Sequence, residues 1–241
     1  MTTTARLALP ALWGKPQLSE ATETSLSFDH NELTRLEAML AQAAAVPFAP
    51  LAAPLAAALA ANADRLRGRV VLAVGAALHV APARRLALAA ALETLFTASQ
   101  AHEALPANAR RDSKLLGGLV LMGDHLFAQS AVFAAQAELP AVVTLFAQTL
   151  QTISQVQVRA QLGSAPDSAW TPNAILCAAA AVGAGLLGHL ASSDLDTLRE
   201  FGLRLGAWAD SHRLDDLHEA QLALRQVRQP EVRQRLRGLL V

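Results

Sequence analysis

Apolar residues recur every three or four positions through most of this chain, in long segments rich in alanine and leucine. Such spacing places apolar side chains on one side of an α-helix, and alanine and leucine are among the strongest helix formers. Neither the alternating runs of Val, Ile and Thr that mark strands nor Asn-Gly turns occur. The pattern therefore predicts an all-α protein.

Three pairs of residues are typical of helix starts, where a side chain accepts an N–H of the first turn or a proline occupies that turn. They are Asp29 with Glu32, Thr171 with Pro172, and Ser193 with Asp196. The first pair resembles a capping box and predicts a helix that runs to about residue 45.

Prolines interrupt the pattern after this first helix. Because proline lacks an N–H and clashes with the preceding turn, Pro47, Pro50 and Pro54 predict short pieces, with helices resuming near 55–62 and 69–78. Further helices are predicted over 82–105, 113–138, 140–162 and 171–190, from residue 193 onward, and after Pro230.

The first 27 residues differ from the rest, since Pro10, Gly14 and Pro16 lie among Ser and Thr. We predict a loose N-terminal arm over 1–27 and one helical domain over 28–241. Neither a repeat nor a shift in composition marks a second domain, so roughly ten helices are expected to share one core.

Composition supports a deep core and a neutral surface. Hydrophobic residues make up 53% of the 241 residues, while Lys plus Arg equals Asp plus Glu at 20 each. A neutral chain has no general field that would attract nucleic acid or an anionic membrane. The longest uncharged apolar run, 174–188, is shorter than the roughly 18 to 20 residues that span a bilayer, and the N-terminus lacks a secretory core. We expect a cytoplasmic protein whose one cysteine, Cys177, is a packed thiol.

Five segments carry sequence landmarks that occur in the same order in one known family. Arg65, Leu66 and Arg67 match its Gly-Lys-Arg-Leu-Arg-Pro motif, with Asp64 in place of lysine. Residues 92–105 match the helix that carries the first aspartate-rich motif, and residues 118–135 match the segment Val-Leu-Ala-Gly-Asp-Tyr-Leu-Leu-Ala. Residues 171–184 match the Lys-Thr-Ala helix, and residues 201–207 match the Phe-Gly-x-x-Leu-Gly helix. The chain thus resembles the trans-polyprenyl diphosphate synthases. That resemblance implies a single-domain isoprenoid-synthase-like bundle, in a family whose catalytic members join isopentenyl diphosphate to an allylic diphosphate.

The resemblance fails at the first metal-binding motif. In catalytic members, two facing aspartate clusters hold Mg²⁺ ions that bind the allylic diphosphate. The corresponding first positions here are Glu103, Ala104 and Ala107, so one carboxylate of the motif remains.

The second motif departs from the family pattern as well. Arg213 and Leu214 stand where paired aspartates align, and Asp215 and Asp216 restore a pair only after a shift of two residues. We therefore expect neither catalytic residues nor a metal or other cofactor, with Glu103, Asp215 and Asp216 as degenerate positions.

Four arginines resemble parts of the family's diphosphate clamp, namely Arg65, Arg67, Arg110 and Arg111. Guanidinium groups bind phosphate bidentately, so a vestigial anion site is one interpretation. Arginines on solvated loops are the other.

Retained scaffold landmarks with eroded aspartates resemble the small subunit of heterodimeric hexaprenyl and heptaprenyl diphosphate synthases. By that resemblance the chain is a regulatory or chain-length-determining subunit, which dimerises with a catalytic synthase and lines a hydrophobic prenyl tunnel. The small residues at 178–181 and 183–185 either leave room for such a tunnel or permit close helix packing.

Two alternatives stay open at this point. One is a divergent Mg²⁺-dependent prenyltransferase that uses Glu103, Asp210, Asp215 and Asp216. The other is a helical pseudoenzyme homodimer that binds an apolar ligand. His102 is expected to be a satisfied core or interface histidine.

Overall fold

A computed structural model describes residues 30–45, 49–60, 62–103, 113–162 and 171–240. The predicted arm, 1–27, lies outside these ranges. Within them the chain forms ten helices: α1 His30–Ala43, α2 Ala49–Ala60, α3 Leu66–Ala77, α4 Pro82–Glu103, α5 Ser113–Gln136, α6 Pro140–Gln161, α7 Pro172–Leu187, α8 Ser192–Ser211, α9 Leu214–Gln226 and α10 Pro230–Arg237. The prediction of an all-α bundle is confirmed.

Helices α4 and α7 form the centre of the bundle. Residues 86–99 of α4 and 173–185 of α7 are buried without interruption. A helix that is apolar around most of its circumference must be surrounded by other elements. Accordingly α1, α3 and α5 pack against α4, and α3, α6 and α8 pack against α7.

Helices α7 and α8 approach each other so closely that their backbones touch. A Cβ atom on Gly202 would lie 2.5 Å from the Cα of Ala178, and one on Gly206 would meet the backbone of Ala174 in the same way. Only glycine fits two helix backbones at this separation. The two glycines of the Phe-Gly-x-x-Leu-Gly landmark therefore serve helix packing.

The small residues of α7 also lie in tight contacts. A Cβ on Gly183 would lie 2.9 Å from Leu88, and one on Gly185 would lie 2.7 Å from Leu195. These contacts favour the close-packing interpretation of this stretch. The prenyl tunnel stays a prediction.

Two predictions about helix boundaries are wrong. Helix α2 passes through Pro50 and Pro54 without a break. Pro50 lies in the first turn, where a backbone N–H would have no partner inside the helix. Pro54 lies further along and costs the helix one backbone hydrogen bond. Helix α8 begins at Ser192 after Ala191, without a side-chain cap, so Ser193 and Asp196 do not cap it.

The cap predicted at Thr171 is confirmed, since its hydroxyl oxygen accepts the N–H of Ala174 at 3.1 Å. Glu32 stays a predicted member of a capping box, because its partner Asp29 lies outside the described residues. The buried carboxylate of Glu32 accepts a bond of 2.8 Å from the Nε of Arg85, which joins α1 to α4. None of the helices in the described ranges combines the length and apolar character needed to cross a membrane.

Candidate functional site

A buried ion pair between Arg67 and Glu93 joins the start of α3 to the middle of α4. The side chains are 1% and 0% exposed, and Arg67 Nη2 lies 2.9 Å from Glu93 Oε2. Burial disfavours the charged guanidinium, but the charges of Glu93, Asp64 and Cys177, together with the hydrogen bond to Glu93, outweigh this effect and raise the pKa of Arg67 above its ordinary value. The charged form of Arg67 is therefore favoured at this buried position.

The second oxygen of Glu93 is bound by backbone. The N–H of Gly68 donates to Oε1 at 2.7 Å, and a Cβ at this position would lie 2.7 Å from Leu36. Gly68 stands where the family motif has proline, which carries no N–H. This substitution gives the buried carboxylate a donor that a proline could not supply.

The polar contacts continue from Arg67 into α7 and α8. Arg67 Nη1 donates to Asn173 Oδ1 at 2.8 Å, and Asn173 Nδ2 donates to Asp210 Oδ1 at 3.0 Å. We call Arg67, Glu93, Asn173 and Asp210 the Arg67 network. It connects four helices through charge-assisted bonds that run from the buried Arg67 and Glu93 to the exposed Asp210.

Two titratable groups at this network have raised pKa values. Burial raises the pKa of the Cys177 thiol, whose S–H lies 3.7 Å from Asn173 Oδ1. A neutral, packed thiol is a poor nucleophile. Desolvation also raises the pKa of Asp210, although hydrogen bonds from Thr171 and Asn173 oppose this shift.

Arg65 holds a second set of internal contacts. Its Nε and Nη2 bind both oxygens of Glu37 at 2.7 and 2.9 Å, and its Nη1 donates to the carbonyls of Leu59 and Asn62, each at 2.7 Å. Arg65 has a left-handed backbone, with φ 46°. Such a conformation is strained for a non-glycine residue, and these four bonds hold it in place.

Arg65 and Arg67, the two described members of the predicted diphosphate-binding set, each bind internal partners. Arg65 binds Glu37 and carbonyls, whereas Arg67 binds Glu93 and Asn173, so a diphosphate at either would have to displace internal partners. Arg110 and Arg111 lie outside the described residues. Diphosphate binding by this set stays a prediction.

The second predicted acidic cluster begins a new helix. Helix α8 ends at Ser211, His212 has a left-handed backbone, and α9 starts at Leu214, so Asp215 and Asp216 lie in the first turn of α9. Asp216 accepts a hydrogen bond from the Ser211 hydroxyl. Carboxylates in this position are stabilised by the helix dipole. The pair therefore has a local structural explanation.

The described members of the predicted acidic set, Asp210, Asp215 and Asp216, do not converge on a site for Mg²⁺. Asp215 Oδ2 lies 3.4 Å from Arg213 Nη2, while Asp210 on α8 is turned toward Asn173. Glu103 is the last residue of α4, and its side chain is not described. Within the described ranges, no three His, Cys, Asp or Glu side chains lie close enough together to hold a metal ion. This donor set does not fit Mg²⁺, which takes several oxygen ligands.

His102 packs beside the Gly-Asp landmark of α5. Its ring stacks on Phe127 with centroids 5.0 Å apart, against Gly123, where a Cβ would collide with it. Its Nε2 lies 3.7 Å from Asp124 Oδ1 and makes no hydrogen bond to any residue that the structure describes. The prediction of a satisfied core or interface histidine stays a prediction.

Sequence reasoning missed Asn173 and Glu37, the partners of the two motif arginines. Asn173 had a usable signal, because it is a polar residue that opens an otherwise apolar helix. Glu37 had none, since it lies among other polar residues of α1.

The chain was compared with protein families, curated proteins and solved structures, and only solved structures gave matches. No protein-family model matches the sequence, and no curated protein matches it significantly. Among solved structures, the geranylgeranyl pyrophosphate synthase of Lactobacillus brevis superposes with a TM-score of 0.74 at 13% identity, over 87% of this chain and 94% of that one. A decaprenyl diphosphate synthase of Rhodobacter capsulatus gives a TM-score of 0.64 at 25% identity, over 78% of this chain and 64% of that one.

A third similar structure is the geranyl diphosphate synthase small subunit of Antirrhinum majus. It gives a TM-score of 0.66 at 17% identity, over 92% of this chain and 99% of that one. At these identities the likenesses establish a shared fold. The fold expected from the sequence landmarks is confirmed.

Proposed function

We propose that this chain, which has the fold of trans-prenyl diphosphate synthases, is a non-catalytic subunit of such an enzyme. Its partner is a catalytic trans-polyprenyl diphosphate synthase chain that contains both aspartate clusters. The pair serves isoprenoid or quinone side-chain biosynthesis, and the chain described here takes no cofactor of its own. Its likeness to a small subunit supports this assignment.

The break between α8 and α9 is the observation that carries the proposal. Ionising a prenyl diphosphate requires divalent cations held by carboxylates that converge from facing helices. Here α8 ends at Ser211, and the acidic pair that follows interacts with Ser211 and Arg213 at the start of α9. Asp215 and Asp216 thus belong to a helix start. This arrangement disfavours the alternative of a divergent active enzyme.

An exposed apolar surface on α5 supports the pairing with another chain. Leu121 and Val132 are 64% and 50% exposed. They share one side of α5, which we call the α5 face, and its exposed residues are Gly117, Leu121, Asp124, Ala128, Ala131, Val132 and Ala135. A helix side of this composition is typical of surfaces that another protein covers.

Co-expression with the trans-polyprenyl diphosphate synthase encoded in the same genome tests this function. We expect a stable one-to-one complex on size exclusion with light scattering. Because the subunit completes the dimer, the complex should form prenyl product at least about tenfold faster than the catalytic chain alone, as if about 1.4 kcal/mol were removed from the barrier. Separate elution of the chains together with unchanged activity would contradict the proposal.

A further inference from the structure

The charge of this neutral chain is unevenly distributed, and its last helix and the turn before it are strongly basic. Residues 225–237 contain one acidic residue, Glu231, and five arginines, whereas the whole chain has 20 Lys and Arg against 20 Asp and Glu. The five are Arg225, Arg228, Arg233, Arg235 and Arg237. A local excess of positive charge attracts anions within about a Debye length, even where the net charge of the chain is zero.

Three of these arginines lie at the turn between α9 and α10. Arg225 is exposed in the last turn of α9. The Nη1 of Arg233 donates to the carbonyl of Val227 at 3.2 Å, so its guanidinium lies at the turn. Arg228 Nη1 lies 3.9 Å from Asp194 Oδ1, and the Arg228 side chain remains 71% exposed. The turn therefore presents more positive than negative charge to the solvent.

One exposed side of α9 leads to this turn and adds apolar residues to it. Its members, at spacings of three and four positions, are Leu214, His218, Gln221, Leu222 and Arg225. Leu214 and Leu222 are 81% and 37% exposed. None of the five is acidic, and Asp215 in the first turn of α9 lies 3.4 Å from Arg213. We call these five residues together with Arg228 the α9 surface.

Arginines and exposed leucines on one surface match the two parts of a lipid headgroup region. Guanidinium groups bind phosphate through paired N–H donors, and leucines gain free energy when an apolar layer removes them from water. Helix α10 is amphipathic, with Val232 and Leu236 buried. Clusters of about four to eight basic residues on such a helix are typical of surfaces that bind anionic lipids. A free phosphate would satisfy the arginines but would leave the leucines in water.

From this we infer that the α9 surface docks on an anionic phospholipid bilayer. Arg225 and Arg228 then bind the lipid phosphates, and Leu214 and Leu222 reach the edge of the acyl layer. All of these residues belong to this chain, so the docking does not depend on the proposed function.

Co-sedimentation of the full-length chain with unilamellar vesicles tests this docking. Vesicles of phosphatidylcholine alone are compared with vesicles in which about a third of the lipid is the anionic phosphatidylglycerol. The chain should bind the anionic vesicles at least about tenfold more tightly, and added salt should weaken this binding because it screens the arginines. Equal binding to the two kinds of vesicle, or no binding to the anionic vesicles, would overturn the inference.

A double charge reversal, Arg225→Glu with Arg228→Glu, should weaken binding to the anionic vesicles at least about tenfold. Arg35→Glu with Arg199→Glu is the matched control, because it changes the net charge equally at exposed positions on α1 and α8. The control should bind like wild type, and circular dichroism should show the same helix content for both variants. An equal loss of binding in the control would mean that net charge alone governs binding, and the α9 surface would have no special role.

Leu214→Gln with Leu222→Gln distinguishes a bilayer from an acidic protein as the partner. Because only a bilayer supplies an acyl layer, this variant should bind the anionic vesicles at least about threefold more weakly than wild type. Its binding to soluble poly-glutamate, which represents an acidic protein segment, should equal that of wild type. Vesicle binding that is insensitive to this change, or tighter binding of wild type to poly-glutamate than to the vesicles, would refute docking on lipid.

Discussion

Replacing Arg67 by methionine should lower the free energy of unfolding by about 3–5 kcal/mol, because it leaves the Glu93 carboxylate buried without its cation. Methionine preserves much of the volume, so packing loss contributes little to this change. Asn173 also loses the donor to its Oδ1. Urea denaturation followed by far-ultraviolet circular dichroism measures the difference.

Two further variants separate the buried charge from other causes. The double variant Arg67→Met with Glu93→Met should be more stable than Arg67→Met alone, because the unpaired carboxylate is gone. Arg204→Met removes an exposed ion pair with Glu200 on α8, and it should change the free energy of unfolding by no more than about 1 kcal/mol. A loss below about 1 kcal/mol for Arg67→Met would contradict the role of the Arg67 network.

Gly202→Ala should destabilise the chain by about 2–3 kcal/mol, toward the upper end of overpacking effects. The three atoms nearest to the added methyl group belong to the backbone of α7, between 2.5 and 2.7 Å away, and backbone cannot rotate aside as a side chain does. Thermal and urea unfolding of the purified chain measure this change.

Gly117→Ala is the control for the helix propensity of alanine. Among the described residues, no atom lies within 4 Å of the added methyl group in α5. This variant should therefore be stabilised by roughly 0.5–1 kcal/mol, the usual gain for alanine over glycine inside a helix. If both variants shift stability in the same direction and by similar amounts, the backbone contact between α7 and α8 does not have the importance assigned to it.

Much of the fold could be predicted from local sequence alone. The helices that start at Pro82, Pro140, Pro172 and Pro230 begin where proline and capping signals place them. Those signals act within one turn, so a linear sequence contains them. At α2 the same reasoning failed, because a helix tolerates the loss of a backbone bond when its other interactions persist.

The candidate site was less predictable, because its contacts join distant parts of the chain. Arg67 and Arg65 were assigned to a ligand from their motif, yet their partners include Glu93, 26 residues from Arg67, and Asn173, 106 residues away. Motif resemblance identifies the residue types but not which carboxylate they meet. The packing of α3 against α4 and α7 determines those pairs.

The end of α8 could not be predicted from the sequence either. A shift of two residues aligns Asp215 and Asp216 with the metal-binding motif in the sequence, but the sequence does not show where the helix before them ends. A left-handed residue at His212 ends the helix before this pair. Aspartates are also common near helix starts, where they interact favourably with the helix dipole. Their presence alone therefore does not distinguish a metal-binding motif from an ordinary helix start.

Prenyl transfer by the purified chain alone tests the central claim most directly. The chain is incubated with Mg²⁺, farnesyl diphosphate and isopentenyl diphosphate, beside a variant that combines Asp215→Ala with Asp216→Ala. Because the acidic pair belongs to the start of α9, we predict no prenyl product from either protein. Product formed by the wild-type chain and lost in the variant would contradict the account.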